Sequence, residues 1–150
     1  HYGSLTGLNK DEMKIKLGED KVQQFRRSWD LRPDPLNKDN PYHPINIATY
    51  KEIPIDEIPD TESLKDTYER VLKFYKKEIE NKIIKNNILI SAHGNSIRAL
   101  CKYLFKLDHN QISKLEIPTG NPLLINLKND NKISNCEYLD KKRAKDLLVF

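Results

Sequence analysis

Apolar residues recur every three or four positions in several parts of the chain, the pattern of helices with one buried face. The clearest case is residues 63–80, where Ser63 and Asp66 resemble a capping box, although Glu or Gln is the usual third-position residue. A weaker stripe predicts a helix over 9–28 that is broken at Gly18. Three shorter helices are expected at 96–106, 109–116 and 140–149.

Short apolar runs predict strands at 88–92, 122–127 and 133–139. Helices alternating with strands indicate an α/β layer fold with a mostly parallel sheet. Three strands are few for such a sheet, because a central strand needs neighbours on both sides. The chain also begins with His1 and not with methionine. We therefore expect residues 1–150 to be a single α/β domain whose N-terminal portion is missing.

Residues 30–62 form a long stretch without hydrophobic periodicity. They hold six of the eight prolines, and proline cannot donate a backbone hydrogen bond to a helix or a central strand. The stretch is therefore expected to cross the surface as an extended segment. Its length fits either a lid or wall of an active site, or a mobile loop.

The composition is that of a polar, soluble protein with a net charge of +4 and 37% hydrophobic residues. This weak positive charge suits an anionic small ligand and gives little support to nucleic-acid binding. No apolar run reaches the roughly 20 residues that span a bilayer, so no membrane partner is expected. Two cysteines, Cys101 and Cys136, lack metal-ligand spacing and favour a reducing, cytoplasmic location.

A histidine stands where the predicted strand 88–92 gives way to a helix, in the stretch ISAHGNSIRAL. His93 would lie at the carboxyl end of a strand, where ligands bind in α/β sheets. Gly94 would allow close approach of a ligand, Asn95 can cap the helix or donate its amide, and the helix N-terminus attracts anions. Arg98 follows one turn later. The alternative is a core histidine bonded to a backbone carbonyl.

Two adjacent arginines, Arg26 and Arg27, stand near Trp29 at a predicted helix end. They could clamp a carboxylate or phosphate through paired N–H donors. They could equally be a charge pair that interacts with the helix dipole. Lys10 and Tyr2 carry no signal by themselves.

Several other chemistries find no support in the sequence. It contains no G-x-S-x-G elbow, no Walker loop and no G-x-G-x-x-G motif. We expect no metal site, because the histidines lack metal-ligand spacing. These histidines are His1, His43, His93 and His109.

Five segments, in order along the chain, resemble one family: HYGSLTGLNKDE, FRRSW, ESLKDTYERVL, ISAHGNSIRAL and LEIPTGNPL. The family is the cofactor-dependent phosphoglycerate mutases, the branch of the histidine phosphatase superfamily that includes bisphosphoglycerate mutase. The resemblance runs from His1 to about Leu139. It implies a three-layer α/β sandwich with a mostly parallel sheet, present here as its later part.

The resemblance implies that a histidine in an RHG motif carries a phosphoryl group and exchanges it between positions 2 and 3 of glycerate. This exchange proceeds through 2,3-bisphosphoglycerate, which also primes the enzyme. His93 matches a second catalytic histidine that faces the transferring group, and Gly94 and Asn95 match ligand contacts. The other positions that match substrate-binding residues are His1, Tyr2, Lys10, Arg26 and Arg27. The implied substrate is a small phosphorylated three-carbon acid, no metal is implied, and the expected assembly is a homodimer or homotetramer.

The RHG motif does not occur in these 150 residues. The resemblance implies that the nucleophile and an acidic acid/base precede His1, so the chain alone is expected to be inactive. A phosphoglycerate mutase of glycolysis is the function expected from the five motifs. The alternatives are a bisphosphoglycerate mutase or phosphatase of the same superfamily, and a non-catalytic anion-binding relative that lacks the nucleophile.

Overall fold

The computed structural model describes residues 1–128, 130 and 132–144, apart from the side chains of Lys10, Lys16 and Arg26. The chain divides into two compact units, His1–Asp66 and Thr67–Phe150. Within the described residues, no helix is both long enough and apolar enough to cross a membrane.

Two helices separated by a glycine form the first part of the N-terminal unit. Helix α1 spans Lys10–Leu17 and helix α2 spans Glu19–Arg27. Gly18 between them has a φ of 82°, a backbone conformation that side chains other than glycine rarely adopt. The Asn9 side chain caps α1 by accepting the N–H of Asp11 at 2.8 Å. The predicted helical region with a break at Gly18 is confirmed.

The proline-rich stretch contains no long helix and no strand, as predicted. Its regular structure consists of three single turns of 3₁₀-helix, at Pro44–Asn46, Ala48–Tyr50 and Ile55–Glu57. The two ends of the stretch meet where the Leu36 N–H donates to the Asp60 carbonyl at 3.0 Å. We call residues 36–60 the closed loop.

The helix predicted over 63–80 is confirmed, with an unexpected change of winding. Helix α3 spans Leu64–Phe74, a π-helical turn covers Tyr75–Ile79, and helix α4 spans Glu80–Ile83. The predicted capping box is present: the Ser63 N–H donates to the Asp66 carboxylate at 2.8 Å, and the Asp66 N–H donates to the Ser63 hydroxyl at 3.2 Å.

Two further helices follow in the second unit. Helix α5 spans Gly94–Leu104, starting two residues before its predicted start, and helix α6 spans His109–Lys114. A capping box between Asp108 and Gln111 fixes the start of α6. Both predicted helices are confirmed.

The sheet of the described residues is an antiparallel pair of strands. Strand β1 spans Leu123–Leu127 and strand β2 spans Ile133–Tyr138, with Leu123 opposite Tyr138 at one end of the ladder. Both strands were predicted. The chain therefore combines helices and strands, whereas its described part contains no parallel sheet. Of the helix predicted at 140–149, residues 145–149 lie outside the described residues, and 141–144 form a turn.

The strand predicted at 88–92 is wrong for this structure. Residues 88–92 form no strand ladder, and Leu89 is 91% exposed. An apolar run becomes a strand only when a neighbouring strand supplies hydrogen bonds and a surface to pack against. The strand was predicted from the apolar pattern alone. It is absent because no strand of the described residues pairs with this segment.

Candidate active site

His93 occupies the N-cap position of helix α5. Its backbone is extended (φ −65°, ψ 149°), and its carbonyl accepts the N–H of Ile97 at 3.1 Å, closing the first turn. The imidazole does not cap the helix, and the residue is exposed. The alternative interpretation of His93 as a core histidine is therefore wrong for this chain, and its ring stands beside a helix N-terminus.

The first residue of α5, Gly94, has open space around it. A Cβ atom added there meets no atom within 4 Å beyond the adjacent residues and the backbone of its own helix, so packing against other parts of this chain does not require glycine. The first N–H groups of any helix have no acceptor inside the helix, and the helix dipole makes this end partly positive. The arrangement of His93 and Gly94 therefore suits a small anion.

Asn95 does not cap the helix, which corrects one of the two expectations for it. It is the second helical residue, and its Oδ1 atom accepts a hydrogen bond from Nη1 of Arg98 at 3.1 Å. The Arg98 guanidinium also donates from Nη2 to the carbonyl of Ile112 in α6 at 2.5 Å. Arg98 is only 4% exposed. The sequence left its direction open, and the structure turns it inward.

The N-terminal segment His1–Gly3 is held by both ends of the proline-rich stretch. The Ser4 N–H donates to the Asp34 carbonyl at 2.7 Å, and the Glu62 N–H donates to the His1 carbonyl at 2.9 Å. The Glu62 carboxylate accepts from the His1 backbone nitrogen at 2.8 Å. His1 and Tyr2 are both exposed.

Gly3 explains why this segment can approach the stretch so closely. Its φ is +54°, and a Cβ atom at this position would lie 2.2 Å from the Asp34 carbonyl oxygen and 2.7 Å from the Thr61 hydroxyl oxygen. No side chain fits there without moving the backbone. The backbone at Gly3 therefore passes close to the Asp34 carbonyl and the Thr61 side chain.

A buried histidine that the sequence analysis did not single out lies inside the closed loop. His43 is fully buried, and its Nε2 atom lies 3.0 Å from Oδ1 of Asp60. Its Nδ1 atom accepts the N–H of Ile45 at 3.3 Å. The Asn46 side chain adds two donations to the Lys38 and Asn40 carbonyls. The closed loop is thus organised around an imidazole and an amide.

The remaining predicted residues lie on the first two helices. Lys10 begins α1, and Arg26 and Arg27 end α2. The side chains of Lys10 and Arg26 are outside the described part of the chain, whereas Arg27 is half-buried. Among the described residues, no group of three or more His, Cys, Asp or Glu side chains could hold a metal ion.

Comparison with known proteins found several relatives that share one description. A phosphoglycerate mutase, described as 2,3-bisphosphoglycerate-dependent, from Pelagibacter ubique (strain HTCC1062) is 72% identical over the whole chain. Proteins of the same description from Hyphomonas neptunium and Maricaulis maris are 47% and 44% identical over 98% of the chain. The chain spans 63% of the first relative's length and 61% of the other two.

The family comparison covers most of the sequence. The family profile described as "Histidine phosphatase superfamily (branch 1)" matches residues 1–135, which include both units' candidate site residues. The matched range extends across the boundary between the two units. The chain therefore belongs to branch 1 of the histidine phosphatase superfamily.

Proposed function

We propose that the protein to which this chain belongs is a 2,3-bisphosphoglycerate-dependent phosphoglycerate mutase of glycolysis. It would interconvert 3-phosphoglycerate and 2-phosphoglycerate through a phosphohistidine. The observation that carries the proposal is the 72% identity, over the whole chain, to a relative of that description. The exposed histidine at the N-terminus of α5 supports it from the geometry.

His93 is proposed as the catalytic residue of this chain. It is exposed at a partly positive helix end, so a hydrogen-bonding or protonated imidazole can face a phosphoryl group. There it would stabilise the negative charge on the equatorial oxygens during transfer. The nucleophilic histidine would be supplied from outside these 150 residues, which contain no RHG motif.

The other candidate residues are proposed to bind the substrate. Gly94 leaves open space at the helix N-terminus, and Asn95 offers side-chain amide donors. Cationic and hydroxyl groups suit the carboxylate and the second phosphate of a phosphorylated three-carbon acid. In this chain they would come from His1, Tyr2, Lys10, Arg26 and Arg27.

The same donors fit 2,3-bisphosphoglycerate, because its three anionic groups need cations and N–H donors and no apolar pocket. Bound 2,3-bisphosphoglycerate supplies the phosphoryl group that primes the enzyme. We propose that the chemistry requires no metal, since helix and side-chain donors can provide the charge stabilisation.

We also propose that both units belong to one domain of the superfamily, a three-layer sandwich with a mostly parallel sheet. The match of one family profile over residues 1–135, a range that includes residues of both units, supports this. Residues 88–92 would then pair with strands outside this chain, which would cover Leu89. The proposed assembly is a homodimer or homotetramer in the cytoplasm, and the two free buried cysteines are compatible with that compartment.

The proposal is tested by assaying the intact protein for isomerisation of 3-phosphoglycerate, with and without added 2,3-bisphosphoglycerate, while phosphate release is followed in parallel. Isomerisation that depends on 2,3-bisphosphoglycerate and exceeds phosphate release is the expected result. Faster phosphate release would indicate a phosphatase, and net synthesis of 2,3-bisphosphoglycerate would indicate a bisphosphoglycerate mutase. Binding of 3-phosphoglycerate without turnover would indicate a non-catalytic relative.

A further inference from the structure

The buried Arg98 links the candidate site to the neighbouring helix. One guanidinium nitrogen donates to the Asn95 side chain at 3.1 Å, and another donates to the Ile112 carbonyl at 2.5 Å. Ile112 is fully buried in α6, whose first turn is fixed by its capping box. Arg98 therefore bridges a half-buried side-chain amide and a well-anchored backbone group.

The bridge decides which way the Asn95 carboxamide points. A guanidinium only donates hydrogen bonds, so the atom that faces Arg98 must be the carboxamide oxygen. The Nδ2 group, with two N–H donors, is then directed away from the guanidinium. A rotated carboxamide would place N–H against N–H and lose this charge-assisted bond.

The planar shape of the guanidinium matters for this arrangement. Its N–H donors form a rigid fork that can serve two acceptors in fixed directions. A lysine ammonium at the same position is a compact point charge on a flexible stem, and it cannot reproduce the fork. The acceptors on Asn95 and Ile112 are bound by two different nitrogens of this fork, Nη1 and Nη2.

We propose that Arg98 is a positioning residue of the active site, which acts by holding the Asn95 Nδ2 donors toward the phosphorylated substrate at the N-terminus of α5. This inference rests on the proposed function. Arg98 itself does not contact the substrate in this scheme. Its contribution reaches the substrate only through Asn95.

A double-mutant cycle on the intact protein tests the inference, with Arg98→Lys, Asn95→Ala and the double variant. The readouts are kcat/KM for 3-phosphoglycerate and the Kd of 3-phosphoglycerate from calorimetry. We expect Arg98→Lys to lower kcat/KM by about tenfold in the presence of Asn95 and by less than about twofold in the Asn95→Ala background. A structural role alone would lower kcat/KM by the same factor in both backgrounds, which would overturn the inference.

A matched control separates lost stability from lost positioning. Ala99→Gly changes the next residue of α5, which is buried. It lowers helix stability and keeps both side chains of the hydrogen bond between Arg98 and Asn95. We expect Ala99→Gly to lower the melting temperature while kcat/KM at an assay temperature well below melting stays at the wild-type value. An equal loss of kcat/KM in this control would overturn the inference.

Wild-type protein that neither isomerises nor binds 3-phosphoglycerate would refute the proposed function and the inference together, whereas active wild type with additive losses would refute the inference alone.

Discussion

His43 and Asp60 form a hydrogen bond of 3.0 Å that joins the middle of the closed loop to its end. Because Nδ1 of His43 accepts the Ile45 N–H, the proton of the neutral ring lies on Nε2, which donates to the carboxylate. The imidazole is fully buried. The loop thus has a small polar core of its own.

We predict that His43→Ala lowers the free energy of unfolding by about 2–4 kcal/mol, since it leaves a cavity and removes a partner of the Ile45 N–H. Chemical denaturation of the intact protein measures the loss, and limited proteolysis should show faster cleavage within 37–59. His109→Ala, at an exposed position, is the control. Equal denaturation midpoints for His43→Ala and wild type would contradict a core role for the imidazole.

Gly3→Ala is expected to destabilise the protein by more than about 1–2 kcal/mol, because alanine is strained at a φ of +54° and its Cβ would collide with the Asp34 carbonyl. The matched control is Gly120→Ala. Its φ is +69°, and a Cβ there meets nothing within 4 Å. Thermal denaturation should show the larger loss for Gly3→Ala. Equal losses would mean that the collision is relieved without cost.

The carboxylate of Asp66 makes stability depend on acid pH. Two hydrogen bonds from Arg32, at 2.6 and 2.5 Å, and those from Ser63 hold the pKa of Asp66 well below its ordinary value of 3.8. Because the pKa of Asp66 is lower in the folded than in the unfolded state, its carboxylate stabilises the folded protein at any pH above the unfolded-state pKa. This stabilisation is lost as the pH falls toward the folded-state pKa. Asp66→Asn should therefore melt at a lower temperature than wild type at about pH 6, with a difference that shrinks between about pH 4 and pH 2. A difference that stays constant over this range would contradict the assignment.

His93→Ala in the intact protein should lower kcat for mutase activity by about two orders of magnitude or more, as expected for a group that stabilises transferring charge. The melting temperature should change little, because the side chain is exposed. His109→Ala is a matched control, since His109 is an exposed histidine at the start of another helix. If His93→Ala were as active as the control variant, His93 would have no catalytic role.

The two cysteines should be inert in the folded protein. Burial raises the pKa of the Cys101 thiol to about 12 and that of the Cys136 thiol to about 11, so both are neutral thiols at neutral pH, and the thiolate is the reactive form. Mass spectrometry of alkylated peptides should find both cysteines unmodified until denaturant is added. Rapid alkylation of native protein would contradict this. The folded state favours the neutral thiols, since their pKa is raised there. The stability that the two thiols contribute is therefore complete below the ordinary thiol pKa of about 9, and it falls as the pH rises above that value.

Local signals predicted much of the fold. The capping box of Ser63 and Asp66 and the break at Gly18 depend on residues within a few positions of each other, so their pattern is readable directly. The strand predicted at 88–92 failed because strand formation depends on partners elsewhere in the chain, about which an apolar run contains no information. The π-helical turn at Tyr75–Ile79 could not be predicted, because the spacing of its apolar residues is close to that of an α-helix.

The structural positions of the candidate residues could be predicted in part, for similar reasons. The helix N-terminus at His93 follows from a glycine and an asparagine next to it in sequence. The burial of His43 had no periodic signal, because its neighbours are prolines and turns, although a histidine between two prolines in PYHPIN was the available clue. The inward direction of Arg98 depends on a carbonyl of α6, 14 residues away. The spacing of residues within α5 contains no information about a contact with another helix.

The hydrogen bond between Leu36 and Asp60 has an evolutionary consequence. It joins the two ends of the closed loop, so the path between them can change in length while the ends stay in place. Doubling the length of a flexible loop costs only about 0.6 kcal/mol in closure entropy. The segments that hold His1 and Gly3 lie just outside this junction, at 33–34 and 61–62. Insertions and deletions within the closed loop can therefore change the surface of the loop without moving the segments at 33–34 and 61–62 that hold His1 and Gly3.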